Sequence, residues 1–385
     1  MSSTTTTSLG LKPYTPPPQT KEDLQWADLE GLDISLLDKP GGKEALAKQV
    51  LKFINTNVSR KEDTEDQKTD IVAYKGFFYV TNHGLTNEQV NRQYAIADAL
   101  FELPLEEKLK YLCNSEVGDF RGYKPRSTGE LSARDNDERY NIPKFTKEHE
   151  REHPQLIWDY YEEIKEFSLY IHNKILLPLL RLFAFVLEID EESLVQIHRY
   201  EEKGLEYLRY MKYYPRSVEE DAKLGNLWAK GHTDYNTLTF LFHQPVAGLQ
   251  VLQNPEDSTS WRYVKSEPGS IIVNIADALE FLSGGFLKST VHRVVRPPPD
   301  QAEKPRLGLI YFARPEAAIR MEPLKSPLLQ RMGIQVPEDH LKALEGVTTE
   351  EWARARIAKD HRFRTGIVNQ PERDIFAGVP QKYYD

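Results

Sequence analysis

A histidine and an aspartate stand two residues apart at His232 and Asp234, inside the stretch GHTDYNTLTFLF that runs from Gly231 to Phe242. An imidazole nitrogen and a carboxylate oxygen are both ligands for a divalent metal. At the end of a strand, a two-residue spacing sends both side chains to the same side. The polar–apolar alternation that follows is the mark of such a strand. Two ligands hold a metal poorly, so a third must come from another segment.

The chain has 10 histidines. His149 and His153 lie in a highly charged segment and are expected to be exposed. His172 and His198 fall in or near helices, His340 and His361 in a polar tail, and His83 closes a turn. His243 ends the same strand as His232, roughly 35 Å away at about 3.3 Å per residue. His292 remains, in the strand-like run STVHRVV, 58 residues (292 − 234) beyond Asp234. Two histidines and a carboxylate on one face leave open coordination positions on Fe(II). Zinc accepts the same donors, and spacing alone leaves both metals open. Arg306 opens the next strand, PRLGLIYFARP, 14 residues (306 − 292) after His292. A buried arginine there needs an anion, and a carboxylate held bidentately would serve.

These residues need elements to carry them. Apolar residues at helical spacing predict a helix over 43–55, where Leu46, Val50, Phe53 and Ile54 share one face. Further helices are expected over 88–101 and 105–112, and over a long apolar stretch from Trp158 to Ile189 that Pro178 should break or kink. GFFYVTNHG, from Gly76 to Gly84, reads as a buried strand closed by a turn. The charged run VSRKEDTEDQKTD reads as a solvated loop. After Leu205 come short strand-like runs punctuated by Gly, Pro, Asn and Asp, the pattern of a sandwich or barrel. The expected organisation is an extended or disordered arm over 1–26 and a largely helical region over 27–200. A β-rich catalytic core follows over 201–320, then a partly helical extension over 321–385 that could act as a lid.

The bulk numbers fit an ordinary globular protein: 385 residues, 39% hydrophobic and 28% charged. A formal net charge of -9 argues against a nucleic-acid partner. No run of about 18 apolar residues predicts a membrane span. The Ser/Thr/Pro-rich start lacks the apolar core of a secretory signal, and Cys113 is the single cysteine. A reducing, cytoplasmic location is therefore expected. Oligomeric state is left open.

Taken in order, GFFYVTNHGL, FELPLEEKLKY, the YYP at Tyr213–Pro215, GHTDYNTLTFLF, GLQVL and VNIADALEFLSGGFLKSTVHRVV resemble the Fe(II)/2-oxoglutarate-dependent dioxygenases of the isopenicillin N synthase-like family. The resemblance covers residues 28–315. It implies a double-stranded β-helix, or jelly-roll, core and Fe(II) held by His232, Asp234 and His292. It also implies that 2-oxoglutarate (2OG) pairs with Arg306, helped by the Tyr214 phenol. Decarboxylation of 2OG to succinate and CO2, with O2, would then drive hydroxylation, desaturation or ring formation in a small molecule, as in secondary metabolism. Phe312, Tyr235, Tyr210 and Tyr123 are the residues expected to meet that substrate. Arg121, near Tyr123, is expected to be an exposed arginine. Two positions depart from the pattern. Gly308 stands where the family has a serine that touches the same carboxylate, and Lys212 stands where it has asparagine. Those departures keep alternatives in view: an iron oxidase of the same fold that does not use 2OG, or an ethylene-forming enzyme. A non-catalytic jelly roll is disfavoured by the intact triad.

Overall fold

The computed structural model describes residues 10–55, 76–126, 136–254 and 257–365. The charged run after Asn57 lies outside the described residues, as do 1–9 of the arm and 366–385 of the tail.

Among the described residues, twelve strands are formed: β1 (Gly31–Asp33), β2 (Phe77–Thr81), β3 (Gly122–Lys124), β4 (Asp137–Pro143), β5 (Tyr207–Tyr213), β6 (Leu227–His232), β7 (Leu238–Phe242), β8 (Leu249–Leu252), β9 (Trp261–Tyr263), β10 (Ile271–Ile275), β11 (His292–Val295) and β12 (Arg306–Ala313). They make a large sheet in the order β1-β2-β10-β7-β12-β5-β4-β3 and a small sheet in the order β6-β11-β8-β9. The two sheets face one another as a jelly roll. The N-terminal region is therefore not only helical. It supplies β1 to β4 to the large sheet, with β2 antiparallel to β10 and β4 antiparallel to β5.

Period-two alternation builds two cores from one sheet. On β5, Leu208 and Tyr210 point to the outer face, where Leu309, Tyr311, Phe240 and Val273 join helical residues such as Ile96, Leu100 and Phe183. Met211 and Tyr213 point to the inner face and pack with Trp228, Leu241, Val251, Ile272 and Val294 between the sheets. Helices thus cover the outside of the large sheet, and the small sheet covers its inside. The helix Asn87–Glu102 begins with a Thr86/Gln89 capping box that satisfies two backbone N–H groups.

Pro178 does not break its helix. The segment Tyr161–Val186 runs continuously for 26 residues, long and apolar enough by length and composition to cross a membrane. Here Ile164, Ile171, Leu179 and Phe183 are buried in the main core. Residues Ile171–Leu176 form a π turn just ahead of the proline, and Leu177 N–H bonds five residues back to His172 O. The wider turn absorbs the missing proline N–H and the steric load of its ring.

The extension after Met321 forms short helices and then Thr349–Thr365. Ala353 and Ile357 of this last helix pack on Phe120, Leu205, Tyr207 and Phe312. The helix lies across one end of the jelly roll. On the helical side, Tyr14 of the arm packs against Tyr94, with ring centroids 5.0 Å apart and the rings tilted by 31°.

Candidate active site

His232 is the last residue of β6 and His292 the first of β11, and the two are paired directly across the small sheet. Their ring centroids are 4.4 Å apart. Each imidazole is turned by a backbone carbonyl: His232 Nδ1 lies 2.7 Å from Lys230 O, and His292 Nδ1 lies 3.2 Å from Thr290 O. A proton on Nδ1 leaves both Nε2 lone pairs free for a metal. Asp234 follows β6. Its Oδ2 accepts hydrogen bonds from Thr239 Oγ1 at 2.6 Å and Asn274 Nδ2 at 3.0 Å. The His232 and His292 Nε2 atoms each stand 3.9 Å from an Asp234 oxygen. One ligand atom from each of the three residues falls within 4.8 Å of the others. The donors are two neutral nitrogens and one carboxylate, converging from separate elements on one point, and they fit a divalent cation such as Fe(II).

The electrostatics agree. Burial, with His232 beside it, holds the His292 imidazole down to about 4, so it is neutral and able to ligate near pH 7. Burial pushes the Asp234 carboxyl up. The two histidines and the bonds from Thr239 and Asn274 outweigh it, and the group stays below its usual value. Phe77 closes one side, its ring edge-on to His292 at 5.3 Å.

The triad opens into a cavity of about 350 Å³ between the sheets. Along β12 the alternation sends Arg306, Ile310 and Phe312 into it, with Arg314 just beyond, and along β5 it sends Tyr207, Arg209, Met211 and Tyr213. Arg306 is buried and donates from Nε to Val246 O at 3.1 Å. Among the described residues it has no ion-pair partner. Tyr213 is its direct neighbour on β5, and the guanidinium lies 5.9 Å from the Tyr213 ring centroid. Burial raises the Tyr213 phenol above its usual value, so it enters the cavity as an O–H donor.

Tyr235 and Phe312 line the cavity as expected of substrate-facing residues. Tyr214, Tyr210 and Tyr123 do not. The Tyr214 phenol, one residue on from Tyr213, faces away and bonds to Glu138, with the Arg126 guanidinium 4.5 Å from its ring centroid. Tyr123 donates to the same Glu138 at 2.5 Å, and Lys108 reaches it at 2.8 Å. Tyr210 donates to Gln93 at 2.7 Å, on the helical side of the large sheet. Two tyrosines thus serve a buried carboxylate, and the third pins a helix. Lys212 shares the outer face and pairs with Asp98 at 2.7 Å. Arg121 is half-buried and forked onto Asp119. His149 and His153 are buried rather than exposed: His149 Nε2 meets Gly204 O at 2.7 Å, and His153 Nδ1 meets the Tyr140 hydroxyl at 2.7 Å.

Sequence reasoning missed the residues that orient Asp234, namely Thr239 and Asn274. It also missed four arginines on the cavity wall, Arg139, Arg209, Arg314 and Arg356. Arg314 carried a usable signal, since it lies eight residues (314 − 306) after Arg306 and so on the same face of the strand. Arg356 carried none, because the last helix brings it in from the tail and ties it to Asp277.

Two family models match the chain. The 2OG-Fe(II) oxygenase superfamily matches residues 205–315, and the non-haem dioxygenase in morphine synthesis N-terminal model matches 34–160. A UPF0676 protein of Schizosaccharomyces pombe is 30% identical over 295 residues, covering 73% of this chain and 84% of its own. The leucoanthocyanidin dioxygenase of Malus domestica is 30% identical over 256 residues, 65% of this chain and 67% of its own. The 2-oxoglutarate-dependent dioxygenase frbH of Dothideomycetidae sp. is 29% identical and covers 71% and 84%. Among solved structures, full-length Neurospora crassa T7H in complex with alpha-KG superposes with a TM-score of 0.68 at 22% identity, over 86% of this chain and 96% of its own. At that identity the superposition speaks for the fold.

Proposed function

Because the chain belongs to the 2OG-Fe(II) oxygenase superfamily, we propose that His232, Asp234 and His292 hold its iron and that Arg306 and Tyr213 hold the distal carboxylate of 2OG. The enzyme is a 2-oxoglutarate-dependent dioxygenase that oxidises a small organic molecule. Iron, 2OG and O2 together supply the oxidising chemistry, in which 2OG leaves as succinate and CO2 while a C–H bond of the substrate is oxidised. Secondary metabolism is the setting this reading favours.

The chain's own residues do the holding and the sorting. Lys230 O and Thr290 O fix the two imidazoles with Nε2 inward, and Thr239 with Asn274 fixes the carboxylate. Arg306 lines the same cavity with N–H groups to spare, which a carboxylate can accept bidentately. Phe312, Tyr207 and Tyr235 wall the remaining space, and the last helix roofs it. Such walls keep water from the reacting carbon and hold it in place.

The observation that carries this reading is the convergence of the three donor side chains within 4.8 Å, each oriented by a second group. An anaerobic optical titration of metal-free protein with Fe(II), with and without 2OG, tests it. A weak visible charge-transfer band that needs both components is expected. Tight iron binding without the band removes 2OG from the iron, and failure to bind iron overturns the ligand assignment.

A further inference from the structure

Four arginines besides Arg306 line the cavity: Arg139, Arg209, Arg314 and Arg356. Two are answered by carboxylates, Arg139 by Asp137 and Arg356 by Asp277. The other two form no close ion pair among the described residues, although Arg209 lies in the field of Asp137. Arg209 donates only to neutral groups, to Asn141 Oδ1 at 2.7 Å and the Tyr207 hydroxyl at 3.0 Å. Arg314 is the sharper case. It is 5% exposed, and its Nε and Nη1 have no hydrogen-bond partner. A buried guanidinium left without an acceptor is costly unless a ligand completes it.

Its neighbours are aromatic. The guanidinium carbon lies 4.8 Å from the ring centroid of Phe120, 5.3 Å from Tyr207 and 4.7 Å from Tyr235. Rings satisfy the faces of a guanidinium, whereas its N–H groups point outward in the plane. The cage therefore holds Arg314 still and leaves its donor edge to another partner. Beside it, Tyr207 and Phe312 stack at 4.8 Å and 24°, and the Arg209 guanidinium sits 4.7 Å from the Phe312 centroid. Arg306 and Arg314 are separated by eight residues, roughly 27 Å of strand at about 3.4 Å per residue, so one small diacid cannot serve both.

We propose that the substrate is a carboxylic acid with a flat or apolar body, its carboxylate seated on the free edge of Arg314 with Arg209 adding charge and its body against Tyr207 and Phe312. This rests on the oxygenase reading of the cavity and gives that cavity a polarity. The 2OG carboxylate sits at the Arg306 end, the substrate carboxylate at the Arg314 end, and the iron ligands lie between.

The test is calorimetric. Full-length protein with Fe(II) and saturating 2OG, kept anaerobic, is titrated with phenylacetate, 3-phenylpropionate and octanoate, each beside its primary amide. At least one acid should bind roughly tenfold or more tightly than its amide. Arg314→Met should erase that preference while leaving 2OG affinity and the melting temperature near wild type. Should Arg314→Met fail to fold, Arg314→Lys and Arg314→Gln take its place, with lysine retaining part of the preference and glutamine losing it. The proposal is overturned if no acid outbinds its amide, if the preference survives loss of the Arg314 charge, or if Arg306→Leu alone abolishes it. If 2OG itself fails to bind, the reading of the Arg306 end is what has failed. The same acid and amide titrations without 2OG, in wild type and the Arg314 variants, then still decide the Arg314 site.

Discussion

Gly308 is the sharpest place to perturb the 2OG site. It lies on β12 between Arg306 and Ile310, opposite Met211, on the face that looks into the cavity. Its φ lies outside the left-handed region, so an L-residue fits the backbone. A Cβ at this position would meet Met211 Cβ at 3.5 Å and Ile310 Cδ1 at 3.8 Å, both ordinary contacts. Gly308→Ser therefore adds a hydroxyl two residues from Arg306 without a clash. A hydrogen bond to a charged group is worth about 1.5–3 kcal/mol. Ordering the serine rotamer takes back up to roughly 1 kcal/mol. A net gain of about 1–2 kcal/mol corresponds to roughly five- to thirtyfold tighter 2OG binding. Gly308→Ala is the control, because it fills the same space without the hydroxyl and should leave the affinity near wild type. The assay is the anaerobic charge-transfer titration of the Fe(II) protein with 2OG. Unchanged affinity in Gly308→Ser, in a protein where Arg306→Leu still removes binding, would refute the placement of the carboxylate beside position 308. Equal tightening by serine and alanine would assign the effect to the strand instead.

The neighbouring sites give parallel expectations. Asp234→Ala should abolish turnover and weaken iron binding severely, read by equilibrium metal titration; near-normal activity would remove Asp234 from the ligand set. Arg306→Leu should raise the 2OG concentration needed for half-maximal succinate release by roughly a hundredfold, the worth of a bidentate charged contact of about 3 kcal/mol, and leave iron affinity within a few-fold. Tyr213→Phe should weaken 2OG binding several-fold. Tyr214→Phe should leave it unchanged but destabilise the fold by about 1–3 kcal/mol, because buried Glu138 loses a donor; the opposite pattern would restore Tyr214 to the site. His198 supplies a pH test. Burial holds its imidazole down to about 4, with Nε2 on Thr237 Oγ1 at 2.8 Å. The unfolded chain takes up that proton near pH 6.5 and the folded chain only near pH 4, so stability falls by about 1.4 kcal/mol per unit as pH drops through that window. His198→Gln should flatten the slope by about that amount in denaturant unfolding; an unaltered slope would mean another group carries it.

What could be read from residues alone depended on whether order or register was needed. The triad needs only that two strand ends meet, and His232-x-Asp234 with His292 at a strand start is enough to suggest it. Tyr213 needed register. A one-residue slip along a strand moves a side chain to the opposite face, and the YYP motif does not say which tyrosine looks inward. The pairing of Arg306 with Tyr213 decides it. His149 and His153 misled for a different reason. Their segment is rich in charge, but a few polar partners, Gly204 O and the Tyr140 hydroxyl, make burial of a neutral imidazole inexpensive. Pro178 signals a kink in isolation, and only the π turn before it shows how the helix continues. A partly helical extension was legible as a candidate lid, but which residues of Thr349–Thr365 reach the cavity was not, because its sequence is rich in charge and the contact rests on a few residues such as Ala353, Arg356 and Ile357.

The pairing of β2 with β10 also sets a clock. Phe77 is made 197 residues (274 − 77) before Asn274, the β10 residue that will pair with it and cover its edge. At about 5–20 residues per second of synthesis, the apolar run FFYVT waits roughly 10–40 s on the ribosome without its neighbour. Strand β4 waits in the same way for β5. The segment matched by the oxygenase model, 205–315, carries the iron ligands yet leaves both β10 and β5 with bare edges if produced alone. Such edges recruit other chains. The N-terminal half is thus a tenant that arrives early and depends on a later arrival, and an excised core would be expected to aggregate before it could be assayed.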